Sequence, residues 1–249
     1  SVSGIDRRFG VVEIGPGIGT LTQFLCEYAG KVAALEIDSR LFPILSETLA
    51  GFDNVSLHNA DVLKADLRDI VRSELNGLIP AACANLPYNI TTPALERLFE
   101  CRLFRQITVM VQKEAAQRIC AAPGSAGYGA FTVLAAYYAE PRIMFNVPAG
   151  CFMPKPNVDS SVMIFRMRDE KPFGIEDEKL FFRIVGAAFA QRRKTLVNGL
   201  LTALPLKKEE VIDLVVSCGF RPDIRGENLS IESFAKLTAF AMQKLGKNH

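Results

Sequence analysis

Three acids and a run of glycines are spaced to hold one kind of ligand. Glu13 opens the run Glu13-Ile-Gly-Pro-Gly-Ile-Gly19, which follows an apolar stretch and precedes a helical pattern. Glycines at 15, 17 and 19 let a backbone turn sharply and approach a ligand closely. Glu36 lies 21 residues beyond Gly15, at the end of a second apolar stretch. That is the spacing of an acid that binds ribose hydroxyls. Asp61, in the segment HNADV after a third stretch, can accept from an adenine amino group. A dinucleotide loop reads G-x-G-x-x-G, whereas here the glycines fall as G-P-G-x-G behind an acid. The pattern points to S-adenosylmethionine, which brings no pyrophosphate to cradle. A plain strand-to-helix turn explains the glycines, but not two further acids at strand ends.

A second motif, Asn85-Leu-Pro-Tyr88, follows a fourth apolar stretch. It suits chemistry on an exocyclic amine. Such a nitrogen is a poor nucleophile because its lone pair is delocalised into the ring. Accepting both amino hydrogens, one on the Asn85 side-chain oxygen and one on the Leu86 carbonyl, favours a pyramidal nitrogen aimed at a sulfonium methyl. Pro87 lacks an N–H and fixes φ, which stiffens the turn. Tyr88 offers a flat face on which a flipped base can stack. No strong base is needed, because the methylated amine is acidic once it is cationic; positioning and dipoles dominate. Alone, the motif reads almost as well as a proline-containing loop; the methyl-donor loop tips the balance.

These residues need a scaffold of alternating strands and helices. Strands are expected at Phe9 to Gly15, Lys31 to Ile37, Asn54 to Leu57, Ala81 to Ala84 and Gln106 to Gln112. Helical patterns lie at Thr20 to Tyr28, Ser39 to Ala50, Pro93 to Phe99, Lys113 to Ala121 and Phe131 to Ala139. Such alternation implies a mostly parallel sheet covered by helices. Arg142 to Val147 and Ser160 to Met167 leave no room for a helix between them, so they are expected to form an antiparallel edge pair. After Arg168 only helical periods appear: Glu178 to Ala190, Arg193 to Ala203, Glu209 to Cys218 and Ile231 to Leu245. The expected layout is a Rossmann-like α/β catalytic domain over 1–170 and a small helical domain over 171–249.

Composition sets bounds on the rest. The 249 residues are 49% hydrophobic and 22% charged, which excludes a disordered chain. The longest apolar stretch, Ala130 to Ala139, is far short of the roughly 20 residues a membrane span needs. The opening residues do not read as a signal peptide. Two histidines and six cysteines without a C-x-x-C pair argue against a metal site, so none is expected. The cysteines are expected reduced and mostly buried in a cytoplasmic protein. The net charge of +2 hides an asymmetry: residues 1–150 carry 13 bases and 15 acids, and 151–249 carry 16 and 12. The basic excess lies where an RNA contact is expected.

From about Gly10 onward the chain resembles the rRNA adenine N6-dimethyltransferases, the bacterial small-subunit (kasugamycin-resistance) family most closely. The resemblance is carried by VVEIGPGIGTLT, LEID, NLPYNITTP, MVQKE, PGSAGYG, FMPKPNVDSS, AFAQRRKTLVNGL and RGENLS. It implies dimethylation of two adjacent adenines in a hairpin near the 3′ end of 16S rRNA, within the 30S subunit or its precursor, by a monomer. It further implies that Glu13, Gly15 and Gly17 surround the methionine part of the cofactor. Glu36 would hold the ribose, with Ile37 against the adenine, and Asp61 the amino group, with Val62 packed nearby. Asn85 through Tyr88 would hold the target amine, with Asn85 also counted among the cofactor-binding residues, and Phe152 would form the second aromatic wall. The small exchanges at Ala60 and Ala84, where glycine is usual, imply little change. Family members carry a basic N-terminal segment, and with only Ser1 to Arg8 ahead of the first strand the start is expected to be trimmed.

Gln191-Arg-Arg-Lys-Thr195 is expected to begin a helix, with Arg192, Arg193 and Lys194 splayed around it. A charge run usually makes a solvated face; the resemblance implies RNA phosphates instead. Rival readings are the large-subunit enzyme of macrolide resistance, a non-catalytic assembly factor on the same fold, and a small-molecule methyltransferase. The segments KPNVDSS, QRRKTL and RGENLS favour the small-subunit enzyme, and the intact glycine loop and amine motif disfavour a non-catalytic factor. A small-molecule enzyme leaves the amine motif and the basic second half unexplained.

Overall fold

The first half of the chain alternates strand and helix because short apolar runs, buried on both faces, are separated by amphipathic segments. A computed structural model describes residues 3–87, 89–170, 172–191 and 193–246. In order these are β1 (Phe9–Ile14), α1 (Thr20–Tyr28), β2 (Lys31–Glu36), α2 (Phe42–Thr48), β3 (Val55–Asn59) and α3 (Leu67–Glu74). There follow β4 (Ile79–Asn85), α4 (Thr91–Glu100), β5 (Gln106–Gln112), α5 (Lys113–Ile119), α6 (Ala130–Tyr138), β6 (Ala139–Val147) and β7 (Ser160–Met167). The C-terminal part is helical: α7 (Glu178–Ala190), α8 (Leu196–Ala203), α9 (Lys208–Ser217) and α10 (Ile231–Gly246).

The strands form one sheet in the order β3-β2-β1-β4-β5-β7-β6. Strands β1 to β5 pair in parallel, and β7 runs antiparallel to both β5 and β6. The expected edge pair is therefore present, with β6 outermost. Helix α3 is absent from the sequence reading. Its start was nonetheless encoded, since Asp66 caps it by accepting from the Arg68 and Asp69 N–H groups at 3.0 Å.

The chain divides into two compact units, Ser1–Ala116 with Ala139–Met167, and Gln117–Tyr138 with Arg168–His249. It crosses between them at three places, where the sequence suggested one crossing near 170. In the first unit, Val11, Leu25, Cys26, Val32, Ala81 and Cys83 form a core between α1 and the sheet. In the second, Tyr137 stacks on Phe181 at 5.3 Å and meets Phe182 edge-on at 5.0 Å. Such pairs add to the burial of the rings. The six cysteines form no disulfide. Cys26, Cys83 and Cys218 are buried, but Cys120 and Cys151 are exposed, so burial is less general than expected. Both exposed ones lie at loop positions, where neighbouring apolar residues in sequence do not build a core.

Candidate active site

Strand order reverses between β1 and β4, and an open α/β sheet binds ligands outside the carboxyl ends of its strands at such a point. Ile14 of β1 is in register with Ala84 of β4. The glycine loop after β1 and the Asn85 loop after β4 therefore leave the sheet side by side. Two motifs 70 residues apart in the chain become neighbours through this one pairing.

The glycine loop is anchored at both levels of the sheet. Gly15 N–H donates to the Leu35 carbonyl at 2.9 Å, and Gly17 N–H to Glu36 Oε2 at 3.3 Å. Gly15 and Gly17 have φ of 67° and 59°, a region that side chains disfavour. A Cβ at either would meet nothing within 4 Å, so their outer side is open. Gly19 differs: a Cβ there would come within 3.2 Å of Thr48 and Leu45 on α2. It serves close packing rather than ligand approach.

The acids take distinct positions. Glu36 is buried, and its Oε1 accepts from Asp38 N–H at 2.9 Å. With Gly17 N–H on its other oxygen, it ties the glycine loop to the end of β2. Ile37, beside it, is 68% exposed, an apolar face suited to an aromatic ring. Asp61 Oδ1 accepts from Leu63 N–H at 2.9 Å, while Oδ2 lies 3.9 Å from Lys64 Nζ. Val62 is buried behind it. Glu13 is only 1% exposed, and its Oε2 is buried without a hydrogen bond among the described residues. Burial pushes its carboxyl up to about 7, with the Thr22 hydroxyl opposing the shift. The neighbouring thiols of Cys26 and Cys83 are pushed up to about 11 and about 12 by burial first and then by the Glu13 charge. They stay protonated and contribute no nucleophile.

The Asn85 segment leaves hydrogen-bond acceptors open. Asn85 ends β4 with an exposed side chain, and no described residue hydrogen-bonds that side chain. Leu86 N–H donates to the Met110 carbonyl of β5 at 3.3 Å. The Pro87 carbonyl is occupied, accepting from Ile90 N–H at 3.1 Å and from the Thr91 hydroxyl at 3.2 Å. No described residue donates to the Leu86 carbonyl. Tyr88 and Arg192 lie outside the described residues. Phe152 is half-buried after a short turn, Ala149–Cys151, in the connection between β6 and β7.

Three supporting residues were not singled out from the sequence. Asn59 Nδ2 donates to the Glu36 and Ile37 carbonyls at 3.0 and 3.2 Å, fixing the end of β2. The Thr91 hydroxyl holds the Pro87 carbonyl, as above. Arg97 Nη2 reaches from α4 to the Ala65 carbonyl at 3.1 Å and closes the turn after Asp61. Only the sheet order brings Asn59 and Arg97 to their partners.

The basic run in the second unit departs from expectation. Helix α8 begins at Leu196 with Thr195 as its cap residue, so Arg193 and Lys194 lie in the preceding turn rather than around a helix. The run has no apolar period to bury, and the turn closes by Lys194 N–H donating to the Gln191 carbonyl at 2.9 Å. Both side chains are exposed, close to the carbonyl end of α7, which favours cations. Two further loops gather in this unit. Leu196 N–H donates to the Ile224 carbonyl and Gly124 N–H to the Glu227 carbonyl, each at 2.7 Å. The Tyr128 hydroxyl donates to the Leu229 carbonyl at 2.7 Å. Arg221 and Arg225 stand exposed on the last of these loops, though each pairs with an acid, Asp223 and Glu227.

Among the described residues no group of three or more His, Cys, Asp or Glu is placed to hold a metal. No described helix is long and apolar enough to cross a membrane.

The family described as "Ribosomal RNA adenine dimethylase" matches residues 3–242. A protein named "Ribosomal RNA small subunit methyltransferase A" from Lachnoclostridium phytofermentans is 47% identical, over 94% of this chain and 82% of its own length. One of the same name from Geobacillus kaustophilus is 45% identical, over 99% of this chain and 86% of its own. A dimethyladenosine transferase structure from Plasmodium falciparum superposes with a TM-score of 0.80 at 24% identity, covering 98% of this chain and 92% of that one. The 23S rRNA methyltransferase ErmE superposes at 0.72 with 25% identity, covering 97% and 94%.

Proposed function

The chain belongs to the ribosomal RNA adenine dimethylase family, and on that premise we propose that it dimethylates N6 of two adjacent adenines in a hairpin near the 3′ end of small-subunit rRNA, using S-adenosylmethionine. The observation that carries this reading is the pairing of Ile14 with Ala84. It supports the reading because the glycine loop after β1 and the Asn85 loop after β4 then leave the sheet as neighbours. Preference for the small subunit rests on relatives of that name at 45–47% identity over 94–99% of this chain.

The residues present fit the donor. Glu13 offers a buried carboxylate oxygen without a partner, suited to a cationic amino group. Gly15 and Gly17 leave open space on the outer side of the loop. Glu36, exposed Ile37 and Asp61 line up along the ends of β2 and β3 as ribose, ring and amino contacts, with Val62 buried beneath. When bound, S-adenosylmethionine supplies an electrophilic methyl group on sulfonium.

The chain's own residues then orient the nucleophile. Asn85 Oδ1 and the Leu86 carbonyl accept the two amino hydrogens and turn the nitrogen lone pair out of the ring plane. Pro87 keeps the turn rigid, with its carbonyl held by Ile90 and Thr91. Tyr88 and Phe152 are the aromatic walls for the flipped base. After transfer the cationic nitrogen gives up its proton readily, so no histidine or lysine base is called for. The second transfer repeats the first, with one acceptor bond replaced by a methyl contact.

We assign RNA contact to the second unit, through Arg192, Arg193 and Lys194 on phosphates. The protein acts as a monomer in the cytoplasm, on the 30S subunit or its precursor. Labelled methyl transfer to 30S particles lacking the modification, run beside naked 23S rRNA, tests the target. Label in the small-subunit rRNA alone supports the proposal; label in 23S rRNA alone overturns it.

A further inference from the structure

Phe152 sits in the long connection 148–159 between β6 and β7. Connections of this length are usually functional and do not fix an aromatic ring unaided. The sheet brings their ends together, since Val147 and Ser160 are register partners. One residue ties the segment to the rest of the site. Asp159, the last residue before β7, accepts from Ala149 N–H through Oδ1 at 3.0 Å. Its Oδ2 lies 3.8 Å from Lys113 Nζ, and its carbonyl accepts from Lys113 N–H at 3.0 Å. Ala149 opens the turn that ends at Phe152, whose N–H donates back to the Ala149 carbonyl at 3.3 Å.

Lys113 directly follows β5, and β5 also supplies the Met110 carbonyl that takes Leu86 N–H at 3.3 Å. The C-terminal end of one strand therefore carries both sides of the base site. The amine loop hangs from Met110, and the Phe152 turn hangs from Lys113 through Asp159. From this geometry we infer that Asp159 is a positioning residue, setting where the Phe152 ring stands relative to Asn85 and Leu86. The inference rests on reading Phe152 as a wall of the base site.

The two bonds of the carboxylate differ in weight. The pair with Lys113 is wide and close to half exposed on both sides, so it contributes little. The bond to Ala149 N–H fixes the turn, and an asparagine at 159 retains that acceptor. Misplacing a reacting group by a fraction of its contact distance is costly even when the group itself is intact.

The test is steady-state transfer from labelled S-adenosylmethionine to undermethylated 30S particles by wild type, D159A, D159N, F152A and the double variant D159A/F152A, with thermal melts of each. D159A is expected to lower kcat by about 10-fold to 10²-fold with the KM for S-adenosylmethionine unchanged. D159N is expected to restore most of the rate. The double variant is expected to be no worse than F152A, because Asp159 acts through Phe152. If D159A melts below the assay temperature, the same comparison of D159A, F152A and the double variant is run at a lower temperature at which all are folded; loss of D159N to the F152A level also overturns the inference. D159A at wild-type rate beside an impaired F152A overturns it, as does a double variant showing the product of both losses. F152A at wild-type rate removes the reading of Phe152 and the inference with it.

Discussion

Replacing Glu13 by glutamine should stabilise the ligand-free protein at pH 8 while weakening its hold on S-adenosylmethionine. The Glu13 carboxyl is raised from 4.5 to about 7 by burial. A raised carboxyl favours the protonated form in the folded state. Below pH 4.5 both folded and unfolded states bind the proton and no penalty exists. Between 4.5 and about 7 the unfolded chain ionises first, so stability falls as pH rises; above 7 the penalty is complete. At about 1.4 kcal/mol per pH unit of difference, the penalty comes to roughly 3 kcal/mol. Glutamine fills the same space without the charge. Urea melts of wild type and E13Q at pH 5 and pH 8 should show E13Q gaining most of that amount at pH 8 and little at pH 5. Calorimetric titration with S-adenosylmethionine should show E13Q binding more weakly, since the donor's amino group loses its carboxylate. Equal pH dependence in the two proteins would refute the burial argument. Unchanged affinity would refute the ligand assignment.

Changing Arg193 and Lys194 together to alanine should weaken 30S binding and flatten its salt dependence by a slope of about one to two. Binding of S-adenosylmethionine should not change; an unaltered salt slope counts against the phosphate role. Gly226→Ala would put a Cβ 2.7 Å from both Cβ and O of Ala188 on α7. It should destabilise the second unit by about 1–3 kcal/mol, read as lost hydrogen-exchange protection in α7 with the β1 to β5 strands unaffected. Gly17→Ala should weaken donor binding through its φ of 59° rather than by a clash, and titration calorimetry would show it.

Much of the site could be read from the sequence because its parts follow strands directly. The glycine loop, Glu36, Asp61 and Asn85 each lie at or just beyond the end of a short apolar run. A period-two or continuous apolar pattern ends sharply there, so placement was clear even where strand limits were off by two residues. What stayed hidden depends on strand order. Asn59, Arg97 and Asp159 act on residues distant in the chain, and nothing in their own sequence neighbourhoods names those partners. The basic run 191–195 was misplaced onto a helix for a related reason. Three charged residues carry no periodicity, and the helix starts beyond them at Leu196, after an extended Thr195. Helices α5 and α6 were read correctly as helices, yet nothing local told that Gln117–Tyr138 belongs to the second unit.

The most direct test of the central claim is the modification itself. Wild type and Asn85→Ala, each with S-adenosylmethionine and 30S particles lacking the modification, would be followed by mass spectrometry of the 16S rRNA 3′ fragment. Wild type should give two adjacent N6,N6-dimethyladenosines, and the variant should lose about 10²-fold or more in rate. Dimethylation by Asn85→Ala at the wild-type rate, or none by wild type, would contradict the account.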